Sequence, residues 1–167
     1  MSKIATQITG RVKKVLVVDD NPATLSFVNS LLLGYGYQVS TAVDGLSALE
    51  ILESNIPDVI IMDLIMPNIN GETLCRMIRR MPHLRNVYII VLSAVAAEHR
   101  QNLVALGANA CIAKGPFNKM AERIFTTLNK LESCTPGDFT NEIIGLEETY
   151  SRNIVKELLA EKKHQHR

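Results

Sequence analysis

Asp63 ends the apolar run at residues 57–71, PDVIIMDLIMPNING, where Val59, Ile60, Ile61 and Met62 lead to one carboxylate. A run this short and apolar, bounded by turn residues, reads as a strand buried on both faces. Pro67, Asn68, Asn70 and Gly71 then read as loop, so Asp63 sits where a buried strand stops. Three other runs end in polar groups. KVLVV stops at Asp19 and Asp20, VYIIVL stops at Ser93, and ACIA stops at Lys114. In a parallel sheet all four ends share one edge, the edge outside which ligands bind. Three carboxylates brought together repel, and either one pKa rises or a hard divalent cation binds. Mg²⁺ suits such a set, because it takes one or two carboxylates, a carbonyl, waters and a phosphate. Lys114 adds a point charge for a phosphate oxygen, and Ser93 adds a hydroxyl. Carboxylates, Mg²⁺, lysine and hydroxyl together could move a phosphoryl group onto an aspartate nucleophile.

The elements that must hold these groups alternate along the chain. Strands are predicted at 14–18, 38–42, 59–63, 87–92 and 110–113. Helices are predicted between and after them. The first starts at Pro22 with Asn21 or Asp20 as its cap, carries Leu25, Val28, Leu31 and Leu32 inward, and ends at Gly34 and Gly36. Asp44-Gly45 reads as a turn before a second helix over 47–54, with Ala48, Leu49, Ile51 and Leu52 inward. Gly71 opens a third, with Leu74, Cys75, Met77 and Ile78 inward and Arg76, Arg79 and Arg80 on a solvated face. A fourth is expected over 96–106. A fifth is expected over 117–131, with Met120, Ile124, Phe125, Leu128 and Leu131 inward. Five such alternations with short connections predict an α/β fold, a parallel sheet with helices on both faces.

Composition narrows the classes. The 167 residues are 47% hydrophobic and 21% charged, as in a soluble globular protein. Lys and Arg number 18 against 17 Asp and Glu, so no overall basic charge points to nucleic acid. No run suits a membrane span or a signal peptide, and Cys75, Cys111 and Cys134 lack metal spacing. A cytoplasmic protein with free thiols is expected. Residues 1–12 read as a loose lead-in and 133–139 as a linker. Residues 140–167 read as an amphipathic helix with a stripe of Ile143, Leu146, Tyr150, Ile154 and Leu158. One stripe cannot bury itself, so that helix needs the main domain or a second copy of the chain.

VLVVDDNP, VIIMDLIMPNING, VLSA and IAK, in this order at these strand ends, resemble the receiver domain of two-component response regulators over residues 13–132. The resemblance implies a flavodoxin-like sheet of order 2-1-3-4-5. It implies that Asp63 is the phosphoacceptor, taking its phosphoryl group from a histidine kinase or phosphotransfer domain. Asp19, Asp20, Asp63 and the Ile65 backbone carbonyl would hold Mg²⁺. Ser93, as the switch hydroxyl, Ala94 and Lys114 would contact the phosphate. Three departures stand out. Cys111 occupies the place of the family's usual aromatic switch residue, so the coupled swing of a ring cannot be carried over. Gly115 separates Lys114 from Pro116, where the family usually has proline at once across a cis bond. Ile65 and Val95 are apolar where polar residues usually orient water, which predicts a slowly hydrolysed phosphoaspartate.

Ordinary roles account for other residues. Cys75 and Cys111 read as small core residues, His83 and His99 as solvated, and His164 and His166 as part of a polar tail. The expected activity is that of a signalling module, limited to accepting a phosphoryl group and slowly losing it, with the 140–167 helix relaying the change and possible homodimerisation through it. That helix also resembles those joining an N-terminal receiver to a sensor or kinase module. Two alternatives stand beside this reading. A haloacid-dehalogenase-type phosphatase would want a second Asp at position 65, where Ile65 lies. A non-phosphorylated binding scaffold would not need the complete acidic set.

Overall fold

A computed structural model describes residues 14–94 and 105–133. Five parallel strands, β1 (Lys14–Val18), β2 (Gln38–Ala42), β3 (Val59–Asp63), β4 (Tyr88–Ser93) and β5 (Ala110–Ala113), form one sheet in the order β2-β1-β3-β4-β5. The helices are α1 (Pro22–Gly34), α2 (Gly45–Ser54), α3 (Gly71–Arg80) and α4 (Phe117–Ser133), with a 3₁₀ turn at Pro82–Leu84. This is the doubly wound, flavodoxin-like order predicted from the sequence. The helix expected at 96–106 falls mostly outside the described residues, as do the lead-in and the 140–167 segment.

Alternation along each strand splits the core. Leu16, Val18, Ile60, Met62, Ile89 and Val91 pack with Ala48, Leu52, Leu74 and Ile78 on the α2–α3 side. Val15, Val17, Ile61, Ile90, Leu92 and Ile112 pack with Val28, Leu32, Met120, Ile124 and Leu128 on the α1–α4 side. Every residue of β3 is buried, as expected for a central parallel strand. The register pairs Val18 with Ala42 and Met62, Asp63 with Leu92, and Ser93 with Ala113. The strand ends therefore form a row, which brings the polar residues just beyond them together.

Several local expectations are corrected. Asp44 is not a turn residue but the cap of α2. Its carboxylate accepts from Ser47 N at 2.7 Å, so the helix starts two residues earlier than predicted. That backbone hydrogen bond is also the main reason its pKa is lowered. Phe125 does not face inward. It is 40% exposed and stacks on Tyr35, while Thr127 takes the buried position, its hydroxyl donating to Arg123 O at 2.8 Å. A back-bonded threonine hides its polar atom and so passes for a core residue.

Arg79 is the largest correction, because it is not solvated. Its Nε donates to Gly107 O at 2.8 Å and its Nη1 to Val87 O at 2.7 Å and Arg85 O at 3.1 Å. Its Nη2 donates to Asn109 Oδ1 at 2.7 Å, and the same oxygen accepts from Ile89 N at 2.9 Å. The Cys75 thiol, one turn earlier, donates to Leu106 O at 3.3 Å, and burial pushes its pKa up. The end of α3 is thus tied to the connections on either side of β4.

At its other end α3 rests on the site strand. A Cβ on Gly71 would fall onto the Asp63 carbonyl oxygen and within 2.8 Å of Leu64 Cα, both backbone atoms that cannot swing aside. Gly71→Ala is expected to lower stability by about 2 kcal/mol through overpacking. A urea midpoint unchanged from wild type would contradict that contact. Arg79→Met should cost about 2–3 kcal/mol, since four acceptors lose one charged donor group. Arg79→Lys should recover less than half, because an ammonium cannot reproduce the planar fork. Full recovery by lysine in the same denaturation series would contradict the fork geometry.

Candidate functional site

Asp63 is the last residue of β3 and is 6% exposed; Asp19 follows β1 on the neighbouring strand and is 1% exposed. Lys114 follows β5, two strands from β3. Its stem reaches across β4 and brings Nζ to 3.0 Å from Asp63 Oδ2 and 2.7 Å from Asp19 Oδ2. Asp20 is exposed. One carboxylate oxygen from each of Asp19, Asp20 and Asp63 lies within 4.8 Å of the others. The sequence prediction of an acidic cluster with a lysine beside it is therefore what the strand ends assemble.

The backbone fixes each group. Asp19 N donates to Ala42 O at 3.1 Å and Asp19 Oδ1 accepts from Asn21 N at 2.9 Å. Asn21 in turn caps α1, accepting from Ala23 N and Thr24 N. Asp63 Oδ1 takes a long contact of 3.4 Å from Ile65 N. The loop after it closes with Gly71 N on Leu64 O at 2.9 Å and turns through Asn68 at φ 64°. Asparagine tolerates that left-handed conformation better than most residues. Ser93 is fully buried at the end of β4, one residue later than the predicted strand end, and its carbonyl accepts from Lys114 N at 3.0 Å. Ala94 is exposed beside it. Ile65 is 62% exposed, with its side chain outside the core. Val95 lies outside the described residues. Cys111 is buried on β5, as a small core residue would be, and His83 is exposed. The Gly115–Pro116 peptide bond is trans.

Burial raises the pKa of Asp63. The hydrogen bond and charge of Lys114 pull it down, and the Asp19 charge adds to the rise, so the net direction is upward. Burial works against the charge on Lys114, but Asp19 and Asp63 together outweigh it and raise the Lys114 pKa. Three carboxylates against one ammonium leave a formal charge of −2, which one divalent cation would balance. The donors are all hard oxygens. Asp19 Oδ2 is buried and meets Lys114 Nζ by distance alone, with no donor aligned on it as a hydrogen bond. An oxygen in that condition suits Mg²⁺, so the residues fit the ion.

Sequence reasoning missed three residues that shape the site. The sequence pattern marks Asn21 only as a cap, yet its backbone N–H also holds Asp19. The sequence marks Gly71 as a helix opener, while its close approach to Asp63 O depends on tertiary distance. Arg123 donates through Nη1 to Ala113 O at 3.2 Å, next to Lys114, and nothing in the sequence pattern marks a helix residue nine positions on.

Comparison with known proteins supports this geometry. The family model described as the response regulator receiver domain matches residues 15–125. The chain is 35% identical over 82 residues to the response regulator PleD of Caulobacter vibrioides, covering 49% of this chain and 18% of that protein. It is 35% identical over 100 residues to the sensor histidine kinase RcsC of Escherichia coli, covering 60% of this chain and 10% of the other. The match thus spans less than a fifth of either relative. Among solved structures it is similar to the chemotaxis response regulator CheY4 of Vibrio cholerae. That match has a TM-score of 0.66 at 33% identity and covers 72% of this chain and 99% of that one. It is also similar to the receiver domain of sensor histidine kinase PA1611 from Pseudomonas aeruginosa, a structure with a magnesium ion coordinated in the active site cleft. There the TM-score is 0.65 at 33% identity, covering 74% of this chain and 100% of that one. With its sheet order, its three clustered carboxylates and its bridging lysine, the chain belongs to the response regulator receiver domain family.

Proposed function

We propose that Asp63 accepts a phosphoryl group from a phosphohistidine on a histidine kinase or phosphotransfer domain. The observation that carries this reading is the Lys114 ammonium shared between Asp63 and Asp19 inside a three-carboxylate pocket. Asp19, Asp20, the Asp63 carboxylate and the Ile65 carbonyl would hold Mg²⁺, which supplies charge neutralisation for the phosphoryl oxygens when bound. An Asp63 oxygen forms the new bond to phosphorus, and the bond from phosphorus to the donor imidazole nitrogen breaks, its electron pair leaving on the imidazole. Burial strips water from Asp63 and raises its pKa. Lys114 exchanges a carboxylate oxygen for a phosphoryl oxygen. The Ser93 hydroxyl, at the adjacent strand end, and the Ala94 backbone take up another.

Residues 13–132 form the phosphorylatable unit in this reading, 133–139 the linker, and 140–167 the relay helix, which pairs with a second copy of the chain. A cytoplasmic location goes with it, in keeping with Cys75 and Cys111 buried in the core outside any disulfide. Among the described residues no helix is long and apolar enough to cross a membrane. The phosphatase alternative is disfavoured, because the position two after Asp63 carries an exposed isoleucine and no general acid.

Intact mass after incubation with acetyl phosphate and Mg²⁺ should show one phosphoryl adduct. The adduct should be absent in Asp63→Ala and absent with EDTA. A folded wild-type protein that takes no adduct would leave the scaffold reading, and turnover of a generic phosphomonoester would favour the phosphatase. Light scattering on the same samples should show a shift to dimer on phosphorylation. A constant mass would remove the pairing role of 140–167.

Ile65 offers water no polar group beside Asp63, and Val95 is apolar too. The Ile65→Asn, Val95→Glu double variant should therefore lose phosphate at least about tenfold faster once donor is removed, within the range of acid–base assistance to water. An adduct half-life equal to the parent's would show that these side chains do not govern access of water.

A further inference from the structure

Lys114 must span two strands to reach its carboxylates, so the direction in which its stem leaves the backbone decides whether it arrives. The residue directly after it gives little support. Gly115 follows, a side chain there would meet no atom within 4 Å, and glycine holds its neighbours' backbone least. Support comes from upstream, through the one peptide group that joins Ala113 to Lys114. Its N–H donates to Ser93 O at 3.0 Å, and its C=O accepts from Arg123 Nη1 at 3.2 Å. A peptide unit is planar, so holding both of its polar atoms fixes its rotation about the strand direction. That rotation sets the Cα–Cβ vector of Lys114. Only the first of these bonds belongs to the sheet. The second comes from a side chain on the second turn of α4, which helix geometry directs back toward the helix start.

We propose that Arg123 is a positioning residue for Lys114, clamping the Ala113–Lys114 peptide so that Nζ is presented to Asp19, Asp63 and the incoming phosphoryl oxygen. This rests on the phosphoacceptor reading given above for its consequence, but not for the clamp itself. Arg123 touches neither carboxylate in this arrangement; it acts only through the Lys114 backbone.

The test combines two measurements on the full chain. The first is the rate of adduct formation from acetyl phosphate with Mg²⁺ in wild type, Arg123→Ala, Arg123→Lys, Lys114→Ala and the Arg123→Ala, Lys114→Ala double variant. Arg123→Ala should slow phosphorylation about three- to tenfold, the factor that one hydrogen bond carries. Arg123→Lys should restore part of the rate, and Arg123→Ala should have no further effect once Lys114 is alanine. The second measurement is native-state hydrogen exchange at the Lys114 amide, with Ile112 and Val91 as internal controls. Exchange at Lys114 should speed up in Arg123→Ala while the controls stay protected. Equal slowing of phosphorylation in both Lys114 backgrounds would overturn the proposal, as would unchanged protection at Lys114. If the wild type takes no adduct, the phosphoacceptor reading fails on its own, and the Lys114 exchange alone decides the clamp.

Discussion

The arrangement depends on one ammonium group standing between two buried carboxylates. Removing charges from water costs several kcal/mol per ion, and only close opposite charge with good geometry offsets it. Asp19 and Asp63 are nearly inaccessible, and their oxygens converge with Asp20 in a space too small for mutual repulsion to be ignored. Lys114 places its ammonium within 3.0 Å of both buried carboxylates and offsets part of that cost. One lysine against three carboxylates still leaves an excess of negative charge. The pocket is thus left with the excess negative charge that one divalent cation would balance. A second lysine would halve that excess.

The sheet makes this balance possible by geometry alone. Because β1 and β3 are neighbours while β5 lies beyond β4, the acids come from adjacent strand ends and the base from across a strand. A lysine has the reach for this and an aspartate does not. The helix following β3 is held at both ends. Gly71 sits against the Asp63 backbone at its start, and the Arg79 fork grips the carbonyls around β4 at its finish. The strand end carrying Asp63 is therefore braced by an element tied to the next two strands, although no residue of that brace takes part in the chemistry.

How far the sequence disclosed this follows from the range of each interaction. Most strand positions were legible because burial on both faces leaves short, continuous apolar runs, and polar residues stand at the ends of those runs. Asp63, Asp19, Asp20, Ser93 and Lys114 could be read from that pattern alone, since parallel topology aligns strand ends. Arg79 could not. Its spacing on α3 matches that of a solvated face, and only the approach of residues 85–87 and 107–109 turns it into a donor to four oxygens. Phe125 failed in the opposite sense, for its apolar ring had a partner, Tyr35, on the outside of the molecule. Asp44 was ambiguous because capping and turn formation use the same side-chain hydrogen bond. Contacts dictated by topology were visible, those decided by tertiary distance were not, and the local cap at Asp44 could pass for a turn.

Gly115 shows how the same distinction bears on the switch. A glycine directly after the site lysine would loosen the connection to α4 if both sides were free. Neither side is. Phe117, two residues on, stacks on Phe27 of α1 with ring centroids 4.3 Å apart and planes within 6°. A pair of that kind holds the start of α4 through more than its buried area. On the other side the Ala113–Lys114 peptide is held by Ser93 O and Arg123. The freedom that glycine brings is thereby confined to a single joint between two anchored points. Arg123 is itself part of α4, so the helix anchored beyond the joint also holds the peptide before it. A displacement of the Lys114 backbone would therefore pull on α4 through the Ala113 carbonyl and Arg123.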